Sequence, residues 1–76
     1  MRTLTAEDLV KKLNEEMDRA IVELNRENIR QAEMFAFRAD VIEELLRDIG
    51  VDILAEDPEY RKKHYNFWIE MPEEWD

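Results

Sequence analysis

His64 is the only imidazole in the chain, so any site built on histidine chemistry depends on it. Metal centres in helical bundles use a Glu-x-x-His spacing, which sets two ligands on the same face of one helix. Arg61 stands three residues before His64, so this spacing is absent. We therefore interpret His64 as a half-buried aromatic residue, and we predict no metal site and no cofactor. The alternative is a catalytic base or a metal ligand, and a zinc site would have to be built from this one histidine and carboxylates.

Few other residues offer catalytic chemistry. The chain has no Cys and no Ser, which removes the two commonest nucleophiles, and Gly50 is its only glycine, which removes glycine-rich phosphate-binding loops. Adjacent carboxylates occur at Glu15–Glu16, Glu43–Glu44 and Glu73–Glu74, but neighbours on a helix point about 100° apart and form no acid–base pair. We interpret them as solvated charge and predict that the protein is not an enzyme.

The charge balance narrows the choice of partners. Acidic residues outnumber basic ones 20 to 11, for a net charge of −9. This sign disfavours direct contact with nucleic acid or with an anionic membrane surface. Apolar runs are too short for a membrane span or a signal peptide, so we expect a cytoplasmic protein.

The last third of the chain holds most of the aromatic residues, which are common at binding hot spots and in small cores. On a helix, Tyr60, Phe67 and Met71 share a face that we expect to pack on the apolar arc of residues 34–49. The opposite face and the segment after Pro72 then remain for a partner protein. The predicted partner-binding residues are Tyr65, Trp68, Ile69, Trp75 and, from the arc, Arg38.

Arg38 falls near the middle of an apolar arc that covers roughly 200° between Phe35 and Ile49. A guanidinium in such a position must reach solvent, stack on an aromatic ring or meet a carboxylate. We expect an ion pair within the fold or across a dimer interface. The alternative is a contact with a foreign partner.

An acidic row gives a second functional hypothesis. Asp40, Glu44 and Asp48 repeat every four residues, so they line one side of a helix at about one turn per step. Such a row can imitate the phosphates of a nucleic acid and, with the net charge, attract a basic nucleic-acid-binding protein. The corresponding function is an inhibitory decoy of the kind that phages make.

The elements that must position these residues are helices. Thr5 and Asp8 form a capping-box pattern, and apolar residues then recur every three or four positions until Ile49, which Gly50 follows as a terminating residue. No Gly or Pro interrupts this stretch, which favours one long amphipathic helix over about 6–49. The alternative is an αα-hairpin that breaks near 25–28, with Asn28 and Gln31 as a second capping box.

A shorter helix is predicted over about 58–70. Asp57 and Pro58 are typical of a helix start, and Pro72 ends the apolar pattern. The competing interpretation is a strand over 64–71, because Tyr65, Phe67, Ile69 and Met71 alternate.

Together these patterns predict a single all-α domain over 1–76 that acts as a non-catalytic protein–protein interaction module. A helix of thirteen residues covers only about 20 Å, so it leaves the N-terminal half of a long helix exposed. We therefore expect a homodimer that also binds a partner protein. The alternative is the nucleic-acid-mimicking inhibitor.

Overall fold

The computed structural model describes residues 4–72 and shows an all-α fold within them. The helices are α1 (Ala6–Asn25), α2 (Ile29–Asp48), the single turn α3 (Ile53–Glu56) and α4 (Pro58–Glu70). Helices α1 and α2 form a hairpin, and α4 returns to pack against it. In the described part of the chain, no helix combines the length and the apolar character needed to cross a membrane.

The continuous helix over 6–49, which the spacing favoured, is not formed, and the alternative hairpin is confirmed. The chain reverses at residues 26–28, where Glu27 adopts the left-handed conformation with a φ of 65°. The backbone N–H of Asn28 donates to the backbone carbonyl of Glu23 at 2.9 Å. The backbone N–H of Glu27 donates to the backbone carbonyl of Leu24 at 3.0 Å. These two bonds are the Schellman motif that ends many helices. Glycine usually holds the left-handed position, so a glutamate there hid the turn.

The hairpin is favoured because each of its helices covers the other's apolar seam. Leu13 and Met17 of α1 and Ala32, Ala36 and Ala39 of α2 are all buried. Alanines on one side of the contact let the two helices approach closely, and the larger side chains opposite fill the space. A continuous helix would leave both seams in water.

Helix α4 closes the core with its aromatic face. Tyr60 and Phe67 are among the largest fully buried side chains, and Met71 is buried beside them. The predicted bounds of 58–70 are confirmed, and the Asp57 carboxylate caps α4 by accepting from the Tyr60 amide at 3.1 Å. The strand proposed for 64–71 is therefore wrong.

The two helix starts in the hairpin differ. At α1 the predicted capping box is present, because the Thr5 hydroxyl accepts from the Asp8 amide at 3.2 Å and the Asp8 carboxylate accepts from the Thr5 amide at 3.1 Å. At α2 the predicted box is absent. Asn28 makes no cap bond, and its Nδ2 donates instead to Glu23 Oε2 at 2.8 Å, across the turn.

The left-handed residue in the hairpin turn gives a first prediction. Glu27→Gly should raise the free energy of unfolding by about 0.5–1 kcal/mol, because the glycine removes the Cβ penalty of the positive φ. Gly50, which has a φ of 91° after α2, is the matched control. Gly50→Ala should lower the free energy of unfolding by about 1 kcal/mol. This loss comes from backbone strain alone, because a Cβ added at Gly50 meets no atom within 4 Å. Urea denaturation measures both, and a loss of stability in Glu27→Gly would contradict the turn geometry.

Candidate interaction surface

One face of α2 carries an uncovered apolar row, which we name the α2 stripe. Its five side chains recur at intervals of three or four residues and therefore share one side of the helix. Each of them is between 44% and 59% exposed. The members are Met34, Phe37, Val41, Leu45 and Ile49. A continuous exposed apolar surface of this kind on a small protein is typical of a contact site.

Helix α4 covers less of the arc of residues 34–49 than the sequence indicated. It reaches the arc at one edge, where the Trp68 and Phe37 rings lie 6.3 Å apart. Its buried residues pack instead into the core shared with α1, and Lys63 Nζ lies 3.0 Å from Asp18 Oδ1 on that helix. The α2 stripe stays open because α4 packs beside it and not over it.

The two ends of the α2 stripe carry opposite charges. Arg30 lies in the first turn of α2 and Asp48 is its last residue, and both are exposed. They are 18 residues apart, which is five turns, so they lie along one line about 27 Å in length. Both charges oppose the helix macrodipole, which favours acids at the N-terminus and bases at the C-terminus. A depression of about 390 Å³ at the Arg30 end is lined also by Met34, Phe37 and Val41.

Arg38 is paired within the fold, as predicted. Its Nη1 lies 3.9 Å from Glu16 Oε2, and its guanidinium lies over the Phe35 ring at 5.9 Å. Its side chain nevertheless remains more than half exposed at the border of the α2 stripe.

Glu16 corrects the interpretation of the adjacent carboxylates as solvated charge. It is only 1% exposed, and its Oε1 forms an ion pair with Lys12 Nζ at a distance of 3.1 Å. Its Oε2 has no hydrogen-bond partner. The hairpin buries this carboxylate because α2 packs against the α1 face on which it lies.

The predicted partner-binding residues of α4 occupy different environments. Tyr65 and Ile69 are more than 60% exposed on the outer face of the helix. Trp68 is half-buried between Phe37 and Phe67, whose ring lies 5.2 Å away edge-on. It therefore joins the α4 outer face to the α2 stripe. Trp75 lies outside the described residues.

The acidic row is not uniform. Glu44 and Asp48 are exposed, but Asp40 is half-buried and points to α4, where its Oδ1 lies 3.5 Å from His64 Nε2. Burial raises the pKa of the Asp40 carboxyl, and the nearby His64 opposes this effect. The row thus presents two exposed carboxylates and a third that is half-buried and directed to His64.

Two residues near His64 have a place that the sequence analysis missed. Glu43 lies close to Asp40 and His64, and the Tyr60 ring centroid lies 6.1 Å from that of His64. Neither Glu43 Oε1 nor the Tyr60 hydroxyl has a hydrogen-bond partner. The signal available in the sequence was the three-residue spacing of Asp40 and Glu43. This spacing indicates a common site only together with the packing of α4, which brings His64 to the turn of α2 that carries both carboxylates.

Comparison with known proteins adds no functional information. No protein-family model, no curated protein and no solved structure matches this chain. The function must therefore be argued from the surface itself.

Proposed function

We propose that the chain is a non-catalytic interaction module that forms a homodimer through the α2 stripe. The observation that supports this proposal is the row of five exposed apolar side chains along one face of α2. In water these side chains expose apolar area that a second helix can bury. Helix-on-helix pairing along such a row is a common mode of protein association.

The positions of the charges favour a second copy of the chain as the partner of the α2 stripe, with its α2 helix antiparallel to the first. In that orientation the Arg30 end of one α2 lies beside the Asp48 end of the other. Because both residues lie on one line of the helix, they meet on the same edge of the interface, and twofold symmetry forms the pair twice. The same pairing offsets two charges that each cost about 0.3–1 kcal/mol against the helix macrodipole. A basic end and an acidic end on one stripe thus make the surface self-complementary.

The small size of the chain gives association a second benefit. A domain of 76 residues buries a small core and gains little net stability from it. Here there are also no cysteines for disulfides. The hairpin covers the N-terminal seam from which the sequence predicted a homodimer, so the α2 stripe is the surface left for self-association.

Contact of Tyr65, Trp68 and Ile69 with a partner protein stays a prediction. The proposed dimer uses the outer face of α2, and Tyr65 and Ile69 lie on α4 outside it. A partner protein therefore has access to the α4 outer face in the dimer. The decoy function receives less support, because Asp40 is directed to His64 and the acidic row ends at α4.

Charge reversal tests the antiparallel pairing directly. Arg30→Glu and Asp48→Lys should each weaken the dimer by at least about 4-fold, since each removes two attractive pairs and adds two repulsive ones, at about 0.2–1 kcal/mol per contact. The double variant should restore wild-type affinity because the pairs form again with reversed sign. Analytical ultracentrifugation at low salt measures the dissociation constants.

This experiment distinguishes the effect of a charge reversal on the stability of the monomer from its effect on the affinity of the dimer. Each single reversal improves the match to the helix macrodipole, so the isolated fold should become slightly more stable while the dimer becomes weaker. Glu15→Lys is a control reversal at an exposed position of α1, away from the α2 stripe. Additive losses in the double variant, with no recovery of affinity, would contradict the antiparallel arrangement.

A further inference from the structure

Helices α2 and α4 enclose a group of three potential metal ligands. Asp40 and Glu43 lie one turn apart on α2, and His64 faces them from α4. One ligand atom from each residue lies within 4.8 Å of the others, and all three residues are half-buried. Two carboxylates and one imidazole thus converge on a small volume between two helices, outside the proposed dimer surface.

Unpaired polar atoms adjoin this group. Glu43 Oε1 is buried and accepts no hydrogen bond, although buried polar atoms in folded proteins nearly always have a partner. Tyr60 is fully buried, its hydroxyl also has no partner, and its ring centroid lies 6.1 Å from that of His64. Burial raises the pKa of Tyr60, and the charges of Glu43 and Asp40 add to this effect.

The like charges in this group need compensation. The Asp40 and Glu43 side chains are both half-buried, and each places a carboxylate oxygen within 4.8 Å of one on the other. His64 Nε2 lies 3.5 Å from Asp40 Oδ1, and Arg47 Nη2 lies 3.1 Å from Glu43 Oε2. Glu43 Oε1 is left without a positive or hydrogen-bonding partner. A divalent cation between the three side chains would satisfy this oxygen and neutralise both carboxylates.

We propose that Asp40, Glu43 and His64 bind Zn²⁺, with the fourth position taken by water. Zinc accepts imidazole nitrogen and carboxylate oxygen in a four-coordinate site. Magnesium and calcium prefer oxygen ligands alone, so the imidazole selects against them. The same-helix Glu-x-x-His spacing is not required, because the carboxylates come from α2 and the imidazole from α4.

Bound zinc would fasten α4 to the hairpin. Near this group, α2 and α4 meet at the edge contact of Trp68 with Phe37 and at the approach of His64 to Asp40. Coordination would add two bonds from α2 and one from α4 to the same ion. The metal therefore acts on the stability of the fold, and the proposal does not depend on dimer formation.

The test is a titration of the full, untagged chain with ZnCl₂ after treatment with EDTA. Isothermal titration calorimetry should show one ion per chain, and the melting temperature should rise by about 10–20 °C when free Zn²⁺ exceeds the dissociation constant a hundredfold. His64→Gln and Glu43→Gln should each weaken binding by more than about 100-fold, which exceeds the loss that outer-shell residues cause. Circular dichroism confirms that each variant is folded before titration.

Glu44→Gln is the matched control, because it removes the same charge from the neighbouring, exposed position on α2. It should bind Zn²⁺ with wild-type affinity, and MgCl₂ should leave the melting temperature of every variant unchanged. The proposal is overturned if wild-type protein does not bind Zn²⁺, or if His64→Gln and Glu43→Gln, when folded, bind it as tightly as Glu44→Gln does. An equal response to Mg²⁺ would also overturn it, since that response indicates attraction to acidic charge in general.

Discussion

Replacing Phe67 with alanine is expected to lower the free energy of unfolding by about 3–5 kcal/mol. The side chain is 2% exposed at the centre of the face that α4 contributes to the core, and its ring packs edge-on against Trp68. Its removal leaves a cavity where α4 packs on the hairpin. A domain of this length has a total stability of only several kcal/mol, so the variant should be partly unfolded at room temperature. Urea denaturation followed by circular dichroism measures the loss.

Tyr65→Ala is the matched control on the same helix. Tyr65 is also aromatic, but it is 64% exposed and lies on the outer face of α4. Its substitution should change stability by no more than about 0.5 kcal/mol. Equal losses in the two variants would show that the orientation of α4 is wrong.

The second large effect concerns the buried Glu16. A variant with both Lys12→Met and Arg38→Met leaves this carboxylate without a cation and should lose about 3–5 kcal/mol. Arg38→Met alone should stay close to neutral, because Arg38 is mostly exposed and Lys12 remains 3.1 Å from Glu16. Thermal and urea denaturation of the set measure the contributions.

A third substitution completes this cycle. Adding Glu16→Met to the double variant removes the buried charge and should recover most of the lost stability, since an apolar side chain of similar volume is often as good as a buried ion pair. If the triple variant stays as unstable as the double, the loss comes from the packing of the Lys12 and Arg38 stems and not from the charge.

Local signals in the sequence correctly predicted the caps of α1 and α4, but the capping box predicted at the start of α2 is absent. The Thr5 capping box and the Asp57–Pro58 start depend on side chains within three residues of the backbone groups that they satisfy. The hairpin turn depends instead on Glu27 in a conformation that glutamate seldom adopts. The energy that holds it there comes from burial of the two seams against each other, which no local pattern records.

The functional surfaces were predictable in part. The wide apolar arc of α2 was visible in the sequence, but the residues of the arc that α4 would cover were not. Exposure of Tyr65 and Ile69 followed from helical spacing alone. The convergence of Glu43 and His64 did not, because it joins residues of two helices that are separated by a loop and α3. Burial of Glu16 could not be predicted either, because it depends on the packing of α2 against α1.

Self-association through the α2 stripe is the central claim, and the mass of the chain in solution tests it most directly. Multi-angle light scattering at micromolar and higher concentrations should give twice the chain mass of 9.2 kDa. Val41→Glu, which places a charge in the middle of the α2 stripe, should give a single chain mass with unchanged helical circular dichroism. A wild-type mass of one chain throughout this range, or a dimer that Val41→Glu leaves intact, would contradict the account.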